Sequence, residues 1–420
     1  MTTFDATVPA AQASFAVSRS GMVRFGGDPR AFWRLLAHGA LLLMVTLGLY
    51  RFWLTTDTRR FLWSNTELAG ESFEYTGTAR ELLLGFLIAI AILLPLYAAF
   101  FLISLSLGEL STLIGLLVLT VLGQYAVYRA RRYRLTRTVY RGVRFHQTGS
   151  AWRYALCACL WWTLIVVTVG LLYPFAQSRL ERFKMRNTFF GNLQGRFEGS
   201  GFRLLLRGFV LWLLAMVPVL AGLLATLFAI NWSALAAAPG GDDLWNWLEL
   251  SGLAGAVVYA GLTVVWLLLS FAILYPIFQA IVLRWWASGL RFGDAIVTSR
   301  LRTVQVFAVY ARFLLYALLF TLAASAIVVP GAFVLTRLTG ELDSMAKEIA
   351  TAAAGIIAYV AIALGYSTIY QATVRLGLWR CVVESLDISN LAVLEQVTAA
   401  GQPASPVGEG LADALSVGGV

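Results

Sequence analysis

The chain has 420 residues, 59% of them hydrophobic and 13% charged, with a mean hydropathy of +0.76 and a formal net charge of +10. Soluble globular chains carry about 45–50% apolar and about 25% charged residues, and a water-soluble fold of this composition would expose apolar patches that drive aggregation. An ordinary soluble domain is thereby excluded, and a membrane protein is expected.

Residues 1–20 are small and polar and lack the pattern of a secretory signal; the first hydrophobic run begins near Leu35. Eight hydrophobic segments follow, at 35–54, 82–104, 109–128, 154–176, 204–230, 252–280, 312–336 and 349–373. Each approaches the roughly 20 residues that carry a helix across a ~30 Å hydrocarbon core. The second and third are broken only around Ser104–Glu109. At about 1.5 Å per residue they must fold back as a helical hairpin.

Most of the positive charge is arginine, since lysine occurs only at Lys184 and Lys347, and it collects between the segments. Residues 129–153 hold eight arginines and no acid, 178–207 hold seven basic residues against Glu181 and Glu198, and 281–312 hold five arginines against Asp294. Asn231–Ser251 holds Asp242, Asp243 and Glu249 with no basic residue, and 337–348 is mildly acidic. Positive-inside bias puts the basic stretches in the cytoplasm, beside anionic lipid headgroups, and the acidic ones outside. With none of the known nucleic-acid motifs present, lipid is the expected partner and nucleic acid is not.

Two strongly basic stretches flank the single segment 154–176, so a full crossing there would break the bias once. Its end reads Thr168-Val-Gly-Leu-Leu-Tyr-Pro-Phe-Ala176, where Gly170 and Pro174 can open a helix into a turn. A re-entrant or interfacial path is preferred. An internal repeat supports it: residues 45–84 align without gaps on 167–206 after a shift of 122. Identical pairs include Thr46/Thr168, Gly48/Gly170, Arg60/Arg182, Asn65/Asn187, Thr66/Thr188 and Gly77/Gly199, with Tyr75 opposite Phe197. A weaker third echo lies at Leu274-Tyr-Pro276 and Arg284. If segments one and four turn back, both copies run parallel. The expected fold is an all-α polytopic membrane protein with six full spans and two re-entrant or interfacial segments; eight spans are the alternative. Its parts are a tail at 1–20, a first repeat at 22–128, a second at 129–230, a C-terminal membrane portion at 231–385 and a tail at 386–420. Both termini are expected in the cytoplasm.

An aromatic residue followed by a glycine or acidic turn recurs just before several helices, at Phe25-Gly-Gly-Asp28, Tyr75-Thr-Gly77, Phe145-His-Gln-Thr-Gly149, Phe197-Glu-Gly199 and Phe292-Gly-Asp294. Interfacial aromatic anchors with a turn and a helix start account for it. A sharper but less favoured reading pairs these pieces as a small cytoplasmic sheet.

The run Thr46-Leu-Gly-Leu-Tyr50 with Trp53, then Arg60-Phe61, Asn65-Thr66, Phe73-Glu-Tyr75 and Gly77, resembles the YjgN-like inner-membrane family, domain of unknown function 898. Tyr140-Arg-Gly-Val-Arg-Phe145 with Gly149 and Ser150 fits the same likeness, which covers most of residues 22–385. The resemblance implies a bacterial multi-pass inner-membrane protein with no established activity and no catalytic residues to carry over.

Ionisable groups inside spans are the usual functional candidates, and this chain has few. His38 lies near a headgroup boundary and reads as a snorkelling interfacial histidine rather than a proton relay. Glu109 lies in a turn between segments, where a solvated carboxylate is expected. The i,i+4 pairs Tyr173/Gln177 and Tyr275/Gln279 can line a polar interior or make interhelical hydrogen bonds, and the second is favoured. Arg60, Asn65, Arg182 and Asn187 are repeat-motif positions, and the two asparagines, each following an Arg-Phe pair, suggest a local cap or turn rather than a ligand. Cys157 and Cys159 read as packing residues, and with Cys381 they form no disulfide framework or metal site. No nucleophile elbow, zinc-helix or phosphate-loop motif is present, so no catalytic, cofactor or metal site is expected. Two functions follow: a non-catalytic membrane protein of envelope structure, assembly or interaction, or a transporter or channel for a small solute.

Overall fold

The computed structural model describes residues 21–236, 247, 249–340, 343–400 and 413. Six helices are long and apolar enough to cross a membrane: Ala79–Ser106, Leu110–Thr136, Gly201–Ala229, Leu253–Gly289, Thr303–Leu338 and Ser344–Ser385. At about 1.5 Å per residue even the shortest reaches roughly 40 Å, longer than a ~30 Å hydrocarbon core. Their ends therefore project, and the sequence loads those ends with its charges. No charged residue occurs at 82–108, 110–128, 208–229, 253–283, 313–336 or 349–374.

Two shorter helix pairs complete the helical part. The first joins α1 (Pro29–Val45) to α2 (Arg51–Ser64), and the second joins α5 (Ala151–Val167) to α6 (Tyr173–Arg186). In chain order the long helices are α3 (Ala79–Leu107), α4 (Glu109–Thr136), α7 (Gly201–Ala229), α9 (Leu253–Gly289), α10 (Thr303–Leu338) and α11 (Ser344–Tyr370). A single turn, α8 (Trp232–Ala236), follows α7; a π-helical turn (Gln371–Arg375) and α12 (Leu376–Ser385) extend α11. The hydrophobic segments 35–54 and 154–176 are thus each broken in the middle, at 46–50 and 168–172. Leu47 and Gly48 sit at φ +50° and +90°, and Val169 and Gly170 at +50° and +87°. Thr46 and Thr168 each donate a side-chain bond to the carbonyl four residues back, at 2.7 Å in both. Each also accepts the amide four residues on. One left-handed glycine and one threonine staple turn the chain back on itself.

The helical expectation gains a sheet. Eleven short strands, β1 (Gly21–Phe25), β2 (Thr66–Leu68), β3 (Glu71–Ser72), β4 (Glu74–Tyr75), β5 (Thr138–Tyr140), β6 (Val143–Gln147), β7 (Thr188–Phe190), β8 (Leu193–Phe197), β9 (Leu290–Phe292), β10 (Ala295–Ser299) and β11 (Leu386–Ser389), link the helices. They pair antiparallel in the order β3-β2-β1-β11-β10-β9-β8-β7-β6-β5-β4. That order is the chain order bent into a circle. Its two ends, β3 and β4, are separated by Phe73 alone, whose amide still bonds to Thr66 at 3.1 Å. The sheet is therefore a ring, and ring closure removes the exposed edges that short strands otherwise leave. Strand β11 lies in the stretch that sequence reading assigns to a tail.

The register gives the ring an inside and an outside, because side chains alternate. Following the pairs round, Val23, Phe25, Leu68, Phe73, Tyr75, Tyr140, Phe145, Phe190, Phe197, Phe292, Val297 and Ile388 share one face. Arg24, Glu67, Glu74, Arg144, His146, Gln194, Arg196, Arg291 and Asp387 share the other. Aromatic rings fill the inner face in a continuous series: Phe73 to Tyr140 at 4.8 Å, Tyr140 to Phe190 at 6.1 Å, Phe190 to Phe145 at 4.7 Å and Phe145 to Phe292 at 6.2 Å. A last short helix, α13 (Ala392–Glu395), closes the end of the ring away from the helices, with Leu391 over Gly21, Val393 over Gly293 and Val397 over Gly191.

The recurring aromatic and glycine motif has a packing cause. The rings of Phe25, Tyr75 and Phe197 fold over Gly27, Gly77 and Gly199, and a Cβ on those glycines would lie 2.6, 2.7 and 2.4 Å from them. Helix starts follow at once: Asp28, Thr78, Ser150 and Ser200 accept the first amides of α1, α3, α5 and α7. Gly199→Ala should cost about 1–3 kcal/mol through overpacking. Gly115→Ala, where nothing lies within 4 Å, should cost nothing. Melting temperatures of the purified variants in detergent measure the difference.

Above the ring, successive helices touch in chain order, and α1 closes the circuit against α11. In the central 18-residue windows of the six long helices no more than 6% is buried. Their apolar side chains face outward or into the space they surround, as lipid-exposed helices do.

A cationic, tryptophan-walled cavity

Between the ring and the helices lies a cavity of about 440 Å³, within the range of small-ligand pockets. Trp63 of α2, Trp286 of α9 and Trp379 of α12 wall it, with Tyr128, Arg131 and Arg134 of α4, Glu181 and Lys184 of α6, and Thr138 at the rim of the ring. The tryptophans are fixed by their indole donors: Trp63 to Thr138 Oγ1 at 3.0 Å, Trp286 to Glu181 at 3.2 Å and Trp379 to Thr66 Oγ1 at 3.1 Å. Trp63 and Trp379 also lie ring to ring at 4.9 Å.

Charge dominates the remainder. Arg59 holds the carboxylate of Asp413 with both guanidinium arms, at 2.5 and 3.1 Å, and donates to Tyr75 Oη at 2.9 Å. Arg134 Nε approaches the same carboxylate at 3.6 Å. Both side chains of the Arg59–Asp413 pair are almost fully buried, at 5% and 1% exposed. Burial alone would lower the Arg59 pKa, but the charge of Asp413 and its contact with Tyr75 outweigh that and raise it. Burial pushes the Tyr75 hydroxyl up. Lys184 pairs with Glu181; burial still holds its pKa below the ordinary lysine value, with Arg131 adding to the lowering against Glu181. Arg375 is placed by the π-helical turn within electrostatic reach of Arg59 and Arg134, and such turns favour functional positions. Among the described residues Arg131, Arg134, Lys184 and Glu181 thus line the cavity, with the Arg59–Asp413 pair reached through Arg134 and Arg375 in electrostatic range of Arg59 and Arg134.

The residues singled out by sequence lie elsewhere and do not converge on one site. Arg60 and Arg182 donate to the carbonyls of Gly77 and Gly199, at 3.1 and 3.3 Å. Asn65 and Asn187 each donate to the carbonyl four residues back at 2.7 Å, ending α2 and α6. The two arginines tie a helix to the segment that follows the ring strands, and the two asparagines close their own helices. His38 is exposed on α1. Tyr173 rests against Phe278 at 5.7 Å, while Gln177 is partly buried on α6. Tyr275 meets Tyr310 at 5.7 Å, and Gln279 accepts the Tyr310 hydroxyl, so this pair joins α9 to α10. Cys157, Cys159 and Cys381 carry free thiols, and no group of metal-ligating residues occurs among the described residues. The cavity residues escaped sequence reading because they sit on five separate helices and the charged ones each read alone as a flanking charge. One signal was available: in the repeat, Arg59 aligns with Glu181, a change of sign between otherwise matching positions.

Comparison with known families matches residues 20–414 to the family described as bacterial protein of unknown function, DUF898. No curated protein and no solved structure matches the chain. The matched region takes in the ring, all six long apolar helices and Asp413, so this multi-pass membrane protein belongs to the bacterial DUF898 family.

Proposed function

We propose that the protein is a non-catalytic component of the bacterial inner membrane, acting in envelope organisation or interaction, with its ring and both termini on the cytoplasmic side. The observation that carries this reading is the confinement of charge. The three basic stretches lie at the ring end of the helices, the helix ends that lead into the acidic stretches lie at the opposite end, and the span centres carry no charged side chain. On this reading α1–α2 and α5–α6 are re-entrant pairs, since each leaves the ring and returns to the adjacent strand, and six spans remain. The matching turns at 46–50 and 168–172 and the matching bonds of Arg60/Arg182 and Asn65/Asn187 support an internal duplication. Anionic lipid headgroups are the natural neighbours of the arginine belt.

Labelling decides the orientation. In a cysteine-free background, Ser233→Cys should react with a membrane-impermeant maleimide on intact spheroplasts, and Arg141→Cys only after permeabilisation. The reverse pattern overturns the orientation, and labelling of both sites from outside overturns the six-span reading. The second reading, a transporter or channel for a small solute, draws on the duplication. Uncharged span centres weigh against it, and saturable solute flux in proteoliposomes would establish it.

A further inference from the structure

The cavity holds more positive charge than its own carboxylates balance. Its described lining, in partly desolvated surroundings, carries three cations, Arg131, Arg134 and Lys184, against the single carboxylate of Glu181. Unpaired charge is costly there unless a counter-ion arrives. A donor on the lining is also left over: among the described residues Arg131 Nη1 has no hydrogen-bond partner although it is cut off from the surface, and Arg59 Nε and Arg375 Nε, outside the lining, are in the same position. The other arm of Arg131 reaches only the sulfur of Met185, at 3.5 Å, and Arg375 reaches only the amide oxygen of Gln371, at 3.4 Å. Neither is ion-paired to a carboxylate among the described residues. Next to them, Arg59 already grips an oxyanion, the Asp413 carboxylate, in fork geometry, with Arg134 Nε 3.6 Å from the same group.

We propose that this cavity binds a phosphate group, held by the Arg131 guanidinium and the Lys184 ammonium, with the three tryptophans enclosing what the phosphate carries. A phosphate offers up to two negative charges and several acceptor oxygens, which matches both the charge excess and the spare planar donors. A single carboxylate would leave much of that charge unmet. The inference goes beyond the proposed interaction role and does not depend on which side of the membrane the ring faces. The phosphate can belong to a lipid headgroup or be free in solution, and the two sources are separable.

The test uses the full-length protein in detergent and in nanodiscs. Inorganic phosphate is titrated against chloride at constant ionic strength, and phosphatidylglycerol nanodiscs are compared with phosphatidylcholine nanodiscs, the readout being thermal stability. A saturable rise with inorganic phosphate assigns a free phosphate; a rise with phosphatidylglycerol alone assigns the headgroup. Arg131→Gln should weaken the response about tenfold, the weight of one charge-assisted hydrogen bond. Arg131→Lys, which keeps the charge and loses the fork, should fall between. Arg300→Gln, on the exposed outside of the ring, should leave the response unchanged and so controls for general charge. No saturable response to either probe, or equal losses from Arg131→Gln and Arg300→Gln, overturns the proposal.

Discussion

Phe190→Ala should lower the stability of the purified protein by about 3–5 kcal/mol, the cost of emptying an aromatic site in a close-packed interior. Phe190 is 3% exposed and lies between Tyr140 and Phe145 in the ring's aromatic series. Its loss leaves a hole where the sheet has no second layer to collapse inward. Ile296→Ala provides the contrast, for Ile296 sits on a strand of the same ring but on its outer face, 37% exposed. It should cost about 0.5 kcal/mol, the level of an ordinary surface change. Detergent-solubilised melting curves read both. Equal effects would mean that the inner and outer faces deduced from the strand register are wrong.

Arg59→Met should be nearly as damaging, by about 3–5 kcal/mol, because it strands a buried carboxylate. Asp413 would keep only the more distant Arg134, and the Tyr75 hydroxyl would lose its donor. The double variant Arg59→Met with Asp413→Leu should recover much of the loss, since replacing both members of a buried pair is far less costly than orphaning one. Arg300→Met, which breaks the pair with Asp387 at the surface, should cost at most about 1 kcal/mol, because Arg300 is 77% exposed and solvent screens the interaction. Should the double variant prove no better than Arg59→Met alone, Asp413 is not the group that Arg59 neutralises.

The membrane class and the long helices were legible because a 20-residue apolar run permits few other structures. The break in segment four was legible from charge on both sides and from Gly170 and Pro174, and the repeat alignment carried it over to segment one; Pro174 does open α6. The ring was harder to see because its strands are two to five residues long, too short for alternation to rise above noise. Its turns carry the better signal. Ala69-Gly70 and Arg141-Gly142 hold both residues at positive φ, and Gly191-Asn192 and Gly293-Asp294 begin on a left-handed glycine. These are two-residue hairpin turns, and Gly-Asn and Gly-Asp directly after a phenylalanine are recognisable as such. Of the cavity only the sign change between Arg59 and Glu181 showed in the sequence, since its cations come from separate helices brought together by the fold.

Joining β1 to β11 also sets an order of events during synthesis. The first strand emerges from the ribosome with one edge unsatisfied and must wait for residues 386–389 before its partner exists. Contacts so distant along the chain form slowly, and an open edge invites wrong pairing meanwhile. A nascent chain stalled before that point therefore carries all six long helices and no finished ring, which makes the final strand the latch for everything assembled before it.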